Sequence, residues 1–172
     1  MRKLSFLLIL FICIFQIKAQ SNQKTLKGND FQINYPDQWE VNQSGLMGSI
    51  FFIFSPLDDS TDKFRENINL VKQDLSGIKM SLDDFVILSE KQLKTIITDV
   101  KIIQSKRITK NNNEHHLIIL EGKQGFFHLK TMQYYWINDN KAYILTFTAE
   151  ADKFDNYFPK AKKIMDSFKI LK

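Results

Sequence analysis

One cysteine, three prolines and six glycines are all that this 172-residue chain holds of the residues that staple, break or bend a fold. The cysteine, Cys13, lies inside an apolar segment near the start of the chain. Beyond that segment there is no thiol, which excludes a disulfide framework, a thiolate metal site and a cysteine nucleophile. No glycine-rich loop cradles a phosphate, and no Gly-x-Ser-x-Gly elbow offers a serine nucleophile. No long Gly, Ser or Pro linker, internal repeat or low-complexity run divides the sequence. With 44% hydrophobic and 25% charged residues, it is neither disordered nor collagen-like.

What is present starts with Arg2 and Lys3, then Leu4 to Ile17, apolar apart from Ser5 and Gln16, then Lys18 and Ala19. A charged start, a short apolar stretch and a small residue describe a secretory signal cleaved after Ala19. Fourteen residues rising 1.5 Å each cover about 21 Å, short of the ~30 Å hydrocarbon core of a bilayer. Leu10-Phe11-Ile12 ahead of Cys13 lacks the small residue that a lipoprotein signal places before its cysteine. Residues 1–19 are therefore expected to be a signal peptide and residues 20–172 a single exported domain, periplasmic or extracellular, without a transmembrane span. Losing that segment removes three bases and no acid, so 21 bases face 19 acids and formal charge falls from +5 to +2. Nucleic-acid binding needs a concentrated basic face and has little to rest on. A domain of this size buries about 68–70% of its unfolded surface and needs no metal or cofactor to fold.

Ser21 to Asn29 is polar and reads as a loose lead-in. Phe31, Ile33 and Tyr35 alternate with Gln32 and Asn34, a half-buried strand stopped by Pro36. Trp39 and Val41 mark a short returning strand. Ser49 to Ser55 and Asn67 to Leu75 are two further strands, separated by a polar surface loop, Leu57 to Glu66. Ser81 and Asp84 have capping-box spacing, and Leu82, Phe85, Val86, Leu93, Ile96, Ile97 and Val100 form one helical stripe. Four strands follow as a meander: Lys101–Thr109, Glu114–Glu121, Phe126–Ile137 and Lys141–Ala149. A last stripe, from Phe154 through Ala161 and Ile164 to Phe168, is helical, with its main part starting near Phe158 because Pro159 suits an early position. The sum is an α+β fold, a mostly antiparallel sheet flanked by helices as an α/β/α sandwich.

The hydrophobic pattern also proposes a register. With Lys123-Gln124 as a two-residue turn, Leu120 faces Phe127 and Ile118 faces Leu129. A three-residue turn Asn138–Asn140, with Asn140 left-handed, sets Tyr135 opposite Tyr143. One face then collects Ile118, Leu120, Tyr135, Tyr143, Leu145 and Phe147. The other carries Leu117, Ile119, Met132, Tyr134 and Trp136, mixed with His115, His128 and Lys130.

Phe31-Gln-Ile-Asn-Tyr35-Pro36 with Trp39 shortly after, Asn67-Ile68-Asn69-Leu70-Val71, the run Lys141 to Ala149 and the closing Ser167-Phe168 together resemble the PsbP-like family. Its members share a fold with a Ran-GTPase-binding protein and with the bacterial DcrB-like proteins. The resemblance spans nearly all of residues 28–170 and implies an antiparallel sheet between helices, on the exported side of a membrane. In photosynthetic members the domain is an extrinsic, non-catalytic subunit at photosystem II; elsewhere its relatives are envelope or client-binding proteins. Nothing in this chain points to photosynthesis. Fold and non-catalytic character are what the resemblance implies, and the shared positions are core positions.

Other chemistry is weak on inspection. His115 and His116 are adjacent on a strand and point to opposite faces, and the proposed register sets His115 opposite Met132, roughly 13 Å along the strand from His128. Asp58, Ser60 and Asp62 have calcium-loop spacing, but Lys63 stands where glycine belongs and Asn69 where glutamate does, so a solvated loop is expected. Asp83-Asp84 suit a helix start, and Arg65-Glu66 reads as a surface ion pair. No catalytic, cofactor-binding or metal residue is assigned.

Fully covering the less apolar face would desolvate His115, Lys130, Thr146 and Thr148. An interaction surface is therefore expected around His128, Lys130, Tyr134 and Trp136. The alternative is a helix covering Tyr134 and Trp136, with Lys130 snorkelling out at the edge. The expected function is non-catalytic binding of a protein partner or an apolar ligand. A carrier for a lipid or apolar client helix, using a gap between helix and sheet, is one alternative, and an enzyme with a scattered site is another. A deep apolar pocket would favour the carrier, converging polar groups with shifted pKa values the enzyme. Protein exported by its native host should have the intact mass of a chain beginning at Gln20 or one residue either side; a mass retaining residues 1–19 would make it an anchored protein.

Overall fold

A computed structural model describes residues 22–110 and 113–171; the apolar leader with Cys13, and Asn111 and Asn112, lie outside the described residues. The strands are β1 (Gln23–Lys27), β2 (Phe31–Pro36), β3 (Glu40–Asn42), β4 (Phe51–Phe54), β5 (Asn67–Asp74), β6 (Thr98–Lys110), β7 (Asn113–Gln124), β8 (Phe127–Asn138), β9 (Lys141–Glu150) and β10 (Lys169–Ile170). Helix α1 is Leu82–Ile96 and helix α2 is Phe154–Asp166. Seven strands form an antiparallel sheet in the order β3-β4-β5-β9-β8-β7-β6, and β1-β2-β10 form a second, smaller one. The fold is α+β, with a helix on each face of the large sheet.

Helix α1 starts as its sequence requires. The Ser81 hydroxyl accepts from the Asp84 backbone N–H, and the Asp84 carboxylate accepts from the Ser81 N–H, a complete capping box. Phe85, Val86 and Leu93 pack with Ile97 on Ile118, Leu120, Tyr135 and Ala142. The expected stripe stops short of Val100, because Ile97 is extended (φ −107°) and β6 begins at Thr98. The β-branched run Thr95-Ile96-Ile97-Thr98 favours that exit. Helix α2 starts one turn earlier than expected, at Phe154, with Pro159 in its second turn on an exposed face. The residues expected to be a loose lead-in form β1, paired along all five residues with β2. Strand β3 pairs with β4 and not back on β2, and β10 closes the small sheet on β2.

The largest correction concerns register. Asp139 (φ 48°) and Asn140 (φ 55°) are both left-handed, so the β8–β9 turn has two residues and Asn138 pairs with Lys141. Trp136 then faces Tyr143, Tyr134 faces Leu145 and Met132 faces Phe147. A one-residue change in register turns a whole strand over. Tyr143, Leu145 and Phe147 therefore join the face of Tyr134 and Trp136, which becomes the main core face with Phe51, Ile53, Ile68 and Leu70. The β7–β8 turn is Gly125-Phe126, so Leu120 faces Thr131 and Ile118 faces Gln133; this shift of an even number of residues leaves face membership as expected.

The small sheet is tied to the large one by charge. Lys72 Nζ donates to both Asp30 oxygens, at 2.9 and 3.0 Å, and the Tyr143 hydroxyl donates to Asp30 at 2.9 Å. Burial works against the Asp30 carboxylate, yet the hydrogen bonds from Lys72 and Tyr143 hold its pKa below the ordinary 3.8. That stabilisation is complete above the unfolded value and is lost as pH falls through the lowered one. Asp30→Ala should cost about 1–3 kcal/mol at neutral pH, since both donors lose their partner in a half-screened site. Urea denaturation at pH 7 and pH 3 checks this: the difference from wild type should shrink at the lower pH.

Candidate functional site

Helix α2 lies over β9 and β8 and stops short of the sheet edge. Strands β7 and β6 extend beyond it, and β10 turns back beneath, which leaves a cleft of about 910 Å³. Its floor is Leu117 and Ile119 from β7 with Met132, Tyr134 and Trp136 from β8. Phe158 and Met165 of α2, with Phe168 and Ile170, form one wall; Gln104, Lys106 and Ile108 of β6 form the other. Glu114, Asn138, Lys162, Asp166 and Lys169 surround the mouth.

The floor is an aromatic stack. The His115 ring lies 4.4 Å from Tyr134 and 5.4 Å from Trp136, and Trp136 lies 5.1 Å from Phe168 (centroid distances). His115 faces this cleft because β7 pairs with β8 so that His116 sits opposite Tyr135. The Tyr134 hydroxyl donates to Asp166 at 2.9 Å, and Lys162 donates to the other Asp166 oxygen at 2.5 Å. Burial and then the Asp166 carboxylate push the Tyr134 phenol far above its ordinary value, so it remains a donor. Glu114 pairs with Arg107. Lys106 and Lys169 make no ion pair among the described residues.

The interaction surface expected from sequence is divided by the structure. Tyr134 (3% exposed) and Trp136 (6%) are buried together in the cleft floor. His128 and Lys130 belong to the far end of the same strand; eight residues separate His128 from Trp136, about 26 Å. His128 pairs with Glu121 at 2.9 Å and is largely exposed. Lys130 reaches Asp155 at 3.3 Å and lies 4.5 Å over the Phe154 ring. Sequence reasoning put His115 on this face but opposite Met132, and it missed Lys106 and the α2–β10 wall as neighbours of Trp136; for His115 the signal lay in the length of the β7–β8 turn.

On the other face, Ser105, His116 and Glu90 meet. Ser105 Oγ donates to Glu90 at 2.6 Å and lies 2.8 Å from His116 Nε2. With the serine O–H directed to Glu90, His116 meets the hydroxyl oxygen as an Nε2–H donor, and its buried Nδ1 has no partner among the described residues. Nucleophile activation needs the reverse order, with the serine proton directed to histidine and the carboxylate on Nδ1. Here the serine O–H points to the carboxylate instead.

Burial lowers the pKa of His115 against the opposing pull of Asp166, and Lys162 lowers it further. His116 is lowered too, by burial and then by Arg107. The unfolded chain therefore takes up protons first, and stability should fall as pH drops below about 6.5 toward the folded values. Urea unfolding at pH 7 and pH 5 should show this loss, and His115→Gln should reduce it.

No family profile matches the sequence, and no curated protein matches it. Solved structures do. The cyanobacterial PsbP protein CyanoP of Synechocystis sp. PCC 6803 superposes with a TM-score of 0.64 at 12% identity, over 87% of this chain and 93% of that one. LpqN, involved in cell envelope biogenesis of Mycobacterium tuberculosis, gives 0.60 at 12% identity, over 88% and 91%. PA94 of Pseudomonas aeruginosa, a protein of unknown function, gives 0.60 at 14%, over 84% and 94%. Matches at such identity concern architecture: the chain has the PsbP-like fold.

Proposed function

We propose that the protein is an exported, non-catalytic binding module that receives an apolar ligand in the cleft between β6–β7–β8 and α2–β10. The observation that carries this reading is the cleft itself: about 910 Å³, within the size range of small-molecule sites, with a floor of apolar and aromatic side chains and a polar rim. Lys106 on the β6 wall and Lys169 at the mouth favour a ligand with an anionic end over a cationic one. Export of residues 20–172 as one domain rests on the charged start, the short apolar stretch and Ala19. An envelope setting agrees with the described role of LpqN. Among the described residues no helix is long and apolar enough to cross a membrane. The Glu90–Ser105–His116 order argues against a serine-nucleophile enzyme.

A dansyl-labelled fatty acid is a direct probe. It should bind saturably at one site per chain, with increased and blue-shifted emission. Ile108→Glu places a charge at the half-buried edge of the cleft and should weaken binding by about tenfold or more, because the ligand would have to desolvate it. The melting temperature should move only a few degrees. Equal affinity in wild type, Ile108→Glu and Lys106→Glu would place the probe elsewhere and remove the cleft as the site.

A further inference from the structure

Away from the cleft, the loop between β4 and β5 meets the start of α2, and three carboxylates gather around one ammonium with a fourth, Glu66, beside them. Asp58, Asp62 and Glu66 each place a carboxylate oxygen within 4.8 Å of the others. Lys153 Nζ lies 3.1 Å from Asp58, 3.1 Å from Asp62 and 3.2 Å from Glu150. The niche is sunk into the protein. Glu66 is 0% exposed and the Asp62 side chain 3%, while Asp58 opens to solvent. The Tyr157 hydroxyl fixes Asp58 at 2.6 Å, and the backbone N–H groups of Asp58 and Phe64 fix Asp62.

Acidic groups on a loop say nothing by themselves about a ligand; Glu66 is the exception here. Its Oε1 is buried with no hydrogen-bond partner among the described residues, and its other oxygen receives a long 3.4 Å contact from the Ser55 hydroxyl. Buried polar atoms are almost always paired, and an unpaired one is destabilising. This carboxyl group faces Asp58 and Asp62. One ammonium among four carboxylates leaves the niche short of positive charge.

We propose that Asp58, Asp62 and Glu66 form a site for a calcium ion, with the Lys153 ammonium as an internal competitor for the same position. Carboxylate oxygens are the donors that calcium takes, whereas zinc and copper favour nitrogen or sulfur. The loop Asp58-x-Ser60-x-Asp62 starts like a calcium loop and then departs from the pattern at Lys63 and Asn69. The third carboxylate comes instead from Glu66, where the chain enters β5. Binding moves Lys153 away from Asp58 and Asp62, with Glu150 remaining as its partner. That competition sets a weak affinity, about 10⁻⁴ to 10⁻³ M, the range of extracellular calcium modules.

Amide NMR spectra of the ¹⁵N-labelled protein, freed of metal by chelator and titrated with CaCl₂, test this. Saturable shifts centred on residues 58–66 and Lys153 are expected, with a Kd of about 1 mM or below. Lys153→Met should bind about tenfold more tightly, and Glu66→Gln and Asp62→Asn about tenfold more weakly. No saturable shift in that segment of the wild type overturns the proposal, even if Lys153→Met binds. So does an unchanged Kd in both carboxamide variants. If Lys153→Met does not fold, the wild type against those two variants decides by the same criteria.

Discussion

Two left-handed residues control what the large sheet presents to each side. Asp139 and Asn140 close the β8–β9 hairpin with a two-residue turn, and asparagine and aspartate occupy that conformation more readily than other non-glycine residues. Through this turn Tyr143, Leu145 and Phe147 face α2 and the small sheet. The Tyr143 hydroxyl reaches Asp30 and helps fasten the small sheet in place. Phe147 meets Phe154 at 5.3 Å and helps seat the start of α2. Position of α2 and β10 in turn decides how much of β7 and β6 is left uncovered. A third turn residue would send these aromatic groups to the α1 side and undo the core, the bridge and the cleft together.

Elements with a strong period were legible: β2, β5, the meander and the start of α1 all follow from alternation or from a cap. Strand β1 was not, because Gln23–Lys27 holds one partly buried apolar residue, Leu26, and exists through backbone pairing with β2. Strand β10 has only two residues and depends on the same partner. Segments such as Asn138-Asp139-Asn140 and Gly122 to Gly125 offer turns of more than one length and position from similar residues. Alternation alone cannot choose among them. The β7–β8 turn shifted by an even number of residues and spared the faces; the β8–β9 turn changed by one and exchanged them.

The site was legible in part for the same reason. Tyr134 and Trp136 were recognisable as a pair on one face, but their burial depended on where β9 presents its aromatics. His115 joins them through the β7–β8 register, and the far wall comes from the end of the chain. Glu66 shows the reverse problem. Beside Arg65 in sequence it reads as half of a surface ion pair. In the fold, Arg65 binds Glu40 and the Ser55 carbonyl while Glu66 turns inward. Adjacent strand residues point to opposite sides, so neighbours in sequence are the least able to pair.

Strand β6 ends the large sheet, and its thirteen residues would offer a long template for another strand. Its pairing with β7 is interrupted between Thr98 and Lys101 and again between Ile102 and Gln104. Such interruptions twist the backbone, and the exposed Lys101 and Lys106 add charges that an incoming strand would have to accommodate. Growth of the sheet by edge addition is therefore opposed along the first half of β6, which guards the chain against joining its own copies into fibrils. The cleft beside Lys106 is bounded by the same strand, so side chains inside it can engage a ligand while the outer backbone stays unattractive to other chains.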